Sequence, residues 1–198
     1  MEVVVEISAK IVNELRQRSG AGMMECKKAL VESGGDMEQA MVILKRKGIA
    51  NAAKKAGREA SEGIIQSYIH NGGRVGVLLE LNCETDFVAK NEIFQQLAKD
   101  ICMHVAAMSP IYVSADEIPA ELEEVERNIA IEQCAGKPAN AVEKIVTGKL
   151  AKWHSEVCLL DQPFIKEQQS SVGNYISQII AKIGENIKIK RFARYQIG

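Results

Sequence analysis

The 198-residue sequence lacks an excess of either charge, with 25 basic residues against 26 acidic ones and a formal net charge of −1. A protein held to nucleic acid mainly through phosphate contacts is normally basic overall, so that class is disfavoured. No apolar run approaches the ~20 residues needed to cross a bilayer. Nothing resembles a secretory leader, because Met1 to Ile7 (MEVVVEI) is short and acidic. Close cysteine pairs are also missing: the five cysteines, at 26, 83, 102, 134 and 158, are scattered. An odd, dispersed set without a leader reads as reduced thiols, and the expected location is the cytoplasm. The same scatter speaks against zinc, whose sites usually bring two ligands from one short loop. Histidine is scarce, occurring only at 70, 104 and 154. No metal and no cofactor are expected.

What is present is enough chain for one domain or two, and for a core without staples. Residues 1–58 read as a small helical unit. Ser8 can cap a first helix carrying Ile11, Val12 and Leu15, which ends near Ser19-Gly20. Met23 to Glu32 suggests a second helix, closed by Gly34-Gly35. Asp36 sits where an N-cap belongs, followed by Met37, Ala40, Met41 and Leu44 at helical spacing. Ala50 to Ala60 (ANAAKKAGREA) has few large apolar side chains and reads as a frayed helix or linker, the expected boundary.

The second half reads as α+β. Ile64 to His70 and Arg74 to Cys83 are strand-like, joined by Asn71-Gly72-Gly73, and Asn-Gly favours positive φ at both turn positions. Val75, Val77, Leu79, Leu81 and Cys83 share one face. Phe94, Leu97, Ala98, Ile101 and Val105 mark a helix that should stop before Pro110. Leu122, Val125 and Ile129 mark another, ended by Gly136-Lys137-Pro138, and Val142 to Val157 a third. Val172 to Ile183 gives a last helix before Gly184. Ile187, Ile189, Ala193, Tyr195 and Ile197 then alternate with Lys188, Lys190, Phe192 and Arg194 as a final strand. Three antiparallel strands need one face covered by helices and leave the other wanting a partner.

Catalytic patterns are weak. Cys83 as nucleophile with His104 as base is conceivable, since such pairs meet in space rather than in sequence. Cys83 falls on the apolar face of a strand, however, where a buried structural thiol is the commoner outcome. Glu80 and Glu84 are most simply surface carboxylates. Gly72-Gly73-Arg74-Val75-Gly76 opens a strand, not a helix, and is no dinucleotide fingerprint. Basic clusters such as Lys45-Arg46-Lys47 read as solvated faces. An enzyme is therefore not expected.

Two segments are unusually pointed. Leu15 to Leu30 (LRQRSGAGMMECKKAL) places Gly20-Ala21-Gly22 between two helices and then pairs Met23 with Met24. One methionine is expected to fill a core gap, and the other can offer an adaptable contact surface. Glu80 to Asn91 (ELNCETDFVAKN) sets Phe87, one of only four phenylalanines, beside Asp86 and Lys90 where a strand breaks off. Burying one phenylalanine is worth ~1.5–3 kcal/mol, so core and interface roles both stand open.

Together these segments resemble the two signature segments of bacterial elongation factor Ts. The resemblance extends over nearly the whole chain, including HVAAMSP at His104 and GENIKIKR near the C-terminus. It implies a guanine-nucleotide exchange factor for the translation GTPase elongation factor Tu. It implies an α+β fold: an N-terminal three-helix, ubiquitin-associated-like (UBA-like) bundle with its linker over 1–58, then an α+β core over 59–198 with a three-stranded antiparallel sheet and helices. By the resemblance, Thr85, Asp86, Phe87 and Val88 enter the GTPase, where the phenylalanine wedges between helices, displaces magnesium and loosens GDP. Arg16, Met23, Met24 and Lys27 are implied contacts from the bundle, and Val75, Gly76 and His104 weaker candidates in the core. For each a structural role stays open: helix surface, packing, hairpin geometry or a satisfied histidine. Longer members carry two related core subdomains, so the chain resembles a short form, and short members pair; a homodimer is expected. No direct contact with nucleotide, nucleic acid or membrane is implied. Glu2 to Glu6 (EVVVE) precedes the family's usual start and is assigned no role. A plain adaptor that scaffolds a complex without exchange is the competing reading.

Overall fold

Ser8 sits in extended backbone and its hydroxyl accepts the Ile11 N–H at 3.4 Å, which starts helix α1 (Ala9–Ser19). The computed structural model describes residues 7–198, so the EVVVE stretch lies outside the described residues. Helix α1 ends at Gly20, whose φ of 68° lets its N–H turn back to Arg16 O at 2.8 Å. A side chain is strained in that conformation, and here it would also meet Lys182. Helix α2 (Met23–Glu32) follows, then α3 (Met37–Lys55), capped by Asp36 accepting the Gln39 N–H at 2.8 Å. The cap expected from sequence is thus formed, and Ala50 to Lys55 continues α3 as helix. Each of the three helices packs on the other two around Val12, Leu15, Cys26, Ala29, Leu30, Ala40 and Leu44. This is the three-helix bundle, consistent with a UBA-like arrangement.

Strands β1 (Glu62–Ile69) and β2 (Val75–Cys83) come next. Their turn departs from the Asn-Gly expectation. Positive φ falls on Gly72 and Gly73, not on Asn71, and His70 and Val75 close the loop through a 2.8 Å bond. The loop is therefore longer than a two-residue turn. After β2 come a one-turn helix α4 (Asp86–Ala89) and α5 (Glu92–Met108), which ends just before Pro110. Helices α6 (Ala120–Glu132) and α7 (Ala139–Val157) pack on each other through Ala130, Cys134, Val146 and Leu150. The stripe Leu122, Val125 and Ile129 that marked α6 in the sequence is exposed instead. Strands β3 (Pro163–Phe164) and β4 (Glu167–Ser171) form a small antiparallel pair with no clear sequence signal. Helix α8 (Val172–Ile183) and strand β5 (Ile187–Gln196) complete the chain.

The larger sheet has the order β1-β2-β5 and is antiparallel, so the fold is α+β. The face read from sequence is the buried one: Val77, Leu79, Leu81 and Cys83 are at most 3% exposed. Helix α5 lies on that side, with Cys102 Sγ bonded to Gln66 O and Arg194 reaching Ala106 O at 3.1 Å. The opposite face carries exposed Ile65, Ile69 and Leu78. In β5 the alternation holds for Ile187 and Ile189 and then fails, leaving Tyr195 and Ile197 exposed. All five cysteines are free and buried.

The chain divides into two compact units. One comprises Met1–Gly63, Asn82–Phe94 and Ile176–Lys188; the other Ile64–Leu81, Gln95–Tyr175 and Ile189–Gly198. The ELNCETDFVAKN segment therefore spans both, with its Thr-Asp-Phe-Val portion in the first.

Candidate functional site

β2 ends at Cys83, and Thr85 (φ −130°, ψ 155°) becomes the N-cap of α4. The Thr85 hydroxyl oxygen accepts the Val88 N–H at 3.4 Å, satisfying one of the free amides that open a helix. The same residue donates twice to one carboxylate: its N–H to Glu185 Oε2 at 3.0 Å and its hydroxyl to Glu185 Oε1 at 2.8 Å. Beside it, Glu84 Oε1 accepts the Asn186 N–H at 2.6 Å. The loop after α8 thus holds the end of β2 in place.

The four residues of α4 divide by burial. Val88 and Ala89 point inward, whereas Phe87 is 80% exposed. Leaving a phenylalanine in water forgoes ~1.5–3 kcal/mol of burial, a cost without return unless something covers the ring. Asp86 and Lys90 flank it in an ion pair of 2.7 Å across one helical turn. The hydrogen bond from Lys90 holds the Asp86 carboxyl below its usual range, and the reciprocal bond raises Lys90. So exposed a pair adds little stability; it orders the charges around the ring.

The Cys83 thiol donates to Thr85 O at 3.1 Å. Burial pushes its pKa up to about 11, with the Glu185 carboxylate adding to the effect. A thiol so far from ionisation is a poor nucleophile. His104 is fully buried on α5. Its Nδ1 accepts the Ile165 N–H at 3.3 Å, so Nε2 carries the proton and donates to Gln162 Oε1 at 2.9 Å. Gln162 in turn donates to Glu156 O at 2.9 Å. Burial lowers the His104 pKa and keeps the ring neutral. Both residues are engaged as scaffold, which removes the support for the Cys83–His104 nucleophile pair. Among the described residues no cluster of metal-ligating side chains occurs, and no helix is long and apolar enough to cross a membrane.

In the first segment Arg16 and Lys27 are exposed on α1 and α2. Met23 and Met24 are 46% and 64% exposed. This corrects the expectation that one of them fills the core: that space is taken by Cys26, Ala29 and Leu30 from the same helix. Val75 and Gly76 are half-buried on β2, where a side chain at Gly76 would press on Ile69 at 3.1 Å. Thr85 to Val88 belong to the same compact unit as Arg16, Met23, Met24 and Lys27, while Val75, Gly76 and His104 belong to the other. Sequence reasoning passed over Glu84, Glu185 and Asn186 as supports of the site. The GENIKIKR stretch was visible, but no spacing rule links it to a threonine 100 residues away.

A family model described as Elongation factor TS matches residues 2–198, so the EVVVE stretch lies inside the family match rather than before it. Elongation factor Ts of Desulforamulus reducens is 57% identical over 197 residues, covering 98% of this chain and 91% of the relative. That of Fervidobacterium nodosum is 55% identical over 196 residues, covering 98% of this chain and all of its own length. That of Thermodesulfovibrio yellowstonii is 57% identical over 193 residues, covering 97% and 96%. A family match over residues 2–198 and identity of this order over nearly the whole chain place it in the elongation factor Ts family.

Proposed function

We propose that this protein is the guanine-nucleotide exchange factor for elongation factor Tu in translation elongation, acting in the cytoplasm without a cofactor and without chemistry of its own. It binds the GDP-bound GTPase, Phe87 enters the nucleotide domain, magnesium is displaced, and GDP leaves so that GTP can bind. The observation that carries this reading is the 80% exposure of Phe87 on a turn tied down at Thr85. Magnesium bridges phosphate oxygens and neutralises their charge, so its displacement weakens nucleotide binding. A factor that binds the nucleotide-free GTPase best must, by linkage, lower nucleotide affinity by the same factor.

In this scheme Phe87 and Asp86 make the contacts, with Thr85 and the buried Val88 as their footing. Arg16, Met23, Met24 and Lys27 dock the N-terminal module (residues 1–58), which their exposure supports. Val75 and Gly76 contribute from the core module (59–198). His104 has no exposed surface and enters only through the packing it maintains. We further infer a homodimer, since the outer face of the sheet offers Ile65, Ile69 and Leu78 to solvent. The test is release of a fluorescent GDP from elongation factor Tu. Wild type accelerates release strongly; stable binding without acceleration would leave the adaptor reading in its place.

A further inference from the structure

A four-residue helix cannot hold its own direction, because helix nucleation fixes several residues for a single bond. The direction of Phe87 is set by whatever anchors the residue before the turn. Thr85 spends its N–H and its hydroxyl on the two oxygens of Glu185. The same loop grips the exit of α3: Asn186 Nδ2 donates to Arg58 O at 2.8 Å and Lys55 Nζ to Gly184 O at 2.6 Å. Glu84, bonded to the Asn186 N–H, also meets Arg58 at 3.5 Å. Residues 184–186 therefore tie the Lys55 side chain and the Arg58 carbonyl to the Glu84 side chain and to Thr85.

We propose that Glu185 is the positioning residue of the exchange site: its carboxylate fixes the angle at which Phe87 leaves the surface. The proposal rests on the exchange reading above. Glu185 acts through Thr85, and no contact with partner or nucleotide is assigned to it. Without the carboxylate, Val88 and Ala89 stay buried, but the free Thr85 end lets the turn rotate about them. Length matters more than charge. A glutamine at 185 still accepts the Thr85 N–H and can donate to its hydroxyl oxygen, whereas an aspartate is one methylene too short to meet both groups.

The experiment titrates the full chain against elongation factor Tu loaded with fluorescent GDP. Glu185→Ala is expected to lower the maximal release rate roughly ten-fold, the scale of lost charge-assisted hydrogen bonds, with the half-saturating concentration held within about two-fold. Glu185→Gln recovers most of the rate and Glu185→Asp does not. In a Phe87→Ala background, Glu185→Ala adds no further loss, because both changes disable one device. Equal losses in both backgrounds, a loss confined to the half-saturating concentration, or rescue by aspartate rather than glutamine would overturn the proposal. Hydrogen exchange supplies a readout independent of the GTPase. Glu185→Ala should speed amide exchange from Thr85 to Lys90 and leave α1–α3 unchanged; unchanged protection at Thr85 overturns the clamp. Wild type that fails to accelerate GDP release, with Thr85 protection still dependent on Glu185, sinks the exchange reading and leaves the clamp standing.

Discussion

Thr85 and Glu185, 100 residues apart in the chain, meet through hydrogen bonds of 3.0 and 2.8 Å that occupy both carboxylate oxygens. The threonine oxygen also receives the Val88 N–H, so one side chain caps α4 and fastens it to the loop after α8. Thr85→Val keeps the shape and removes both functions of the hydroxyl. We expect a loss of ~2–5 kcal/mol, the sum of a helix cap and a hydrogen bond to a charged group. The measurement is the urea midpoint at unchanged slope. A midpoint equal to wild type would mean that these bonds contribute nothing in solution.

Phe87→Ala should separate folding from function. The ring makes little use of its area in the free protein, so stability should stay within about 0.5 kcal/mol of wild type. Acceleration of GDP release should fall about ten-fold or more, because ~1.5–3 kcal/mol of ring burial in the partner is lost. Thermal melting and GDP-release kinetics on one preparation check both halves. A substantially less stable variant would mean that Phe87 packs against its own chain.

Alkaline pH offers a different probe. Burial pushes Cys83 and Cys158 up to about 11 and Cys102 up to about 12, from an ordinary value of 9.0. Because the folded values are raised, the unfolded chain loses its thiol protons first. The stability these groups contribute is complete below pH 9 and declines as pH rises towards 11 and 12. Denaturation midpoints measured across that range should slope downward. A variant carrying Cys83→Ala, Cys102→Ala and Cys158→Ala, less stable throughout, should slope less steeply. Parallel slopes would show that the thiols titrate normally.

The homodimer is testable without the GTPase. Light scattering should return twice the chain mass at micromolar concentration. Leu78→Glu, placed on the open face of the central strand, should shift the protein to monomer with the fold intact by circular dichroism. If the mass is that of one chain before any substitution, the open sheet face has another use.

Much of the architecture was legible because its signals are short-range. Ser8 and Asp36 cap the helices they precede, since a side-chain oxygen need reach only three residues ahead. The alternation from Val75 to Cys83 predicted the buried face of β2, because a half-buried strand has a period of two whatever packs on it. Pro110 bounded α5 through its own covalent geometry. Phe87 and its neighbours stood out as a broken pattern, and the resemblance supplied the partner.

By itself, then, the sequence determined the longer helices, the three main strands and the fold class, and it singled out Phe87 as a break in pattern, all from interactions within a few residues. Only the tertiary structure decided which apolar groups stay wet. Met23 keeps the spacing of the core residues Cys26 and Leu30, and the Leu122, Val125 and Ile129 stripe has the periodicity of a core face, yet all four are exposed and other residues fill the core. It also decided how Phe87 is held. Glu185 satisfies Thr85 across 100 residues of chain, and such a contact exists only once folding has brought β2 and the loop after α8 together. Periodicity reports which side of an element is apolar; what that side meets, and what is left for another molecule, depends on packing that no local pattern encodes.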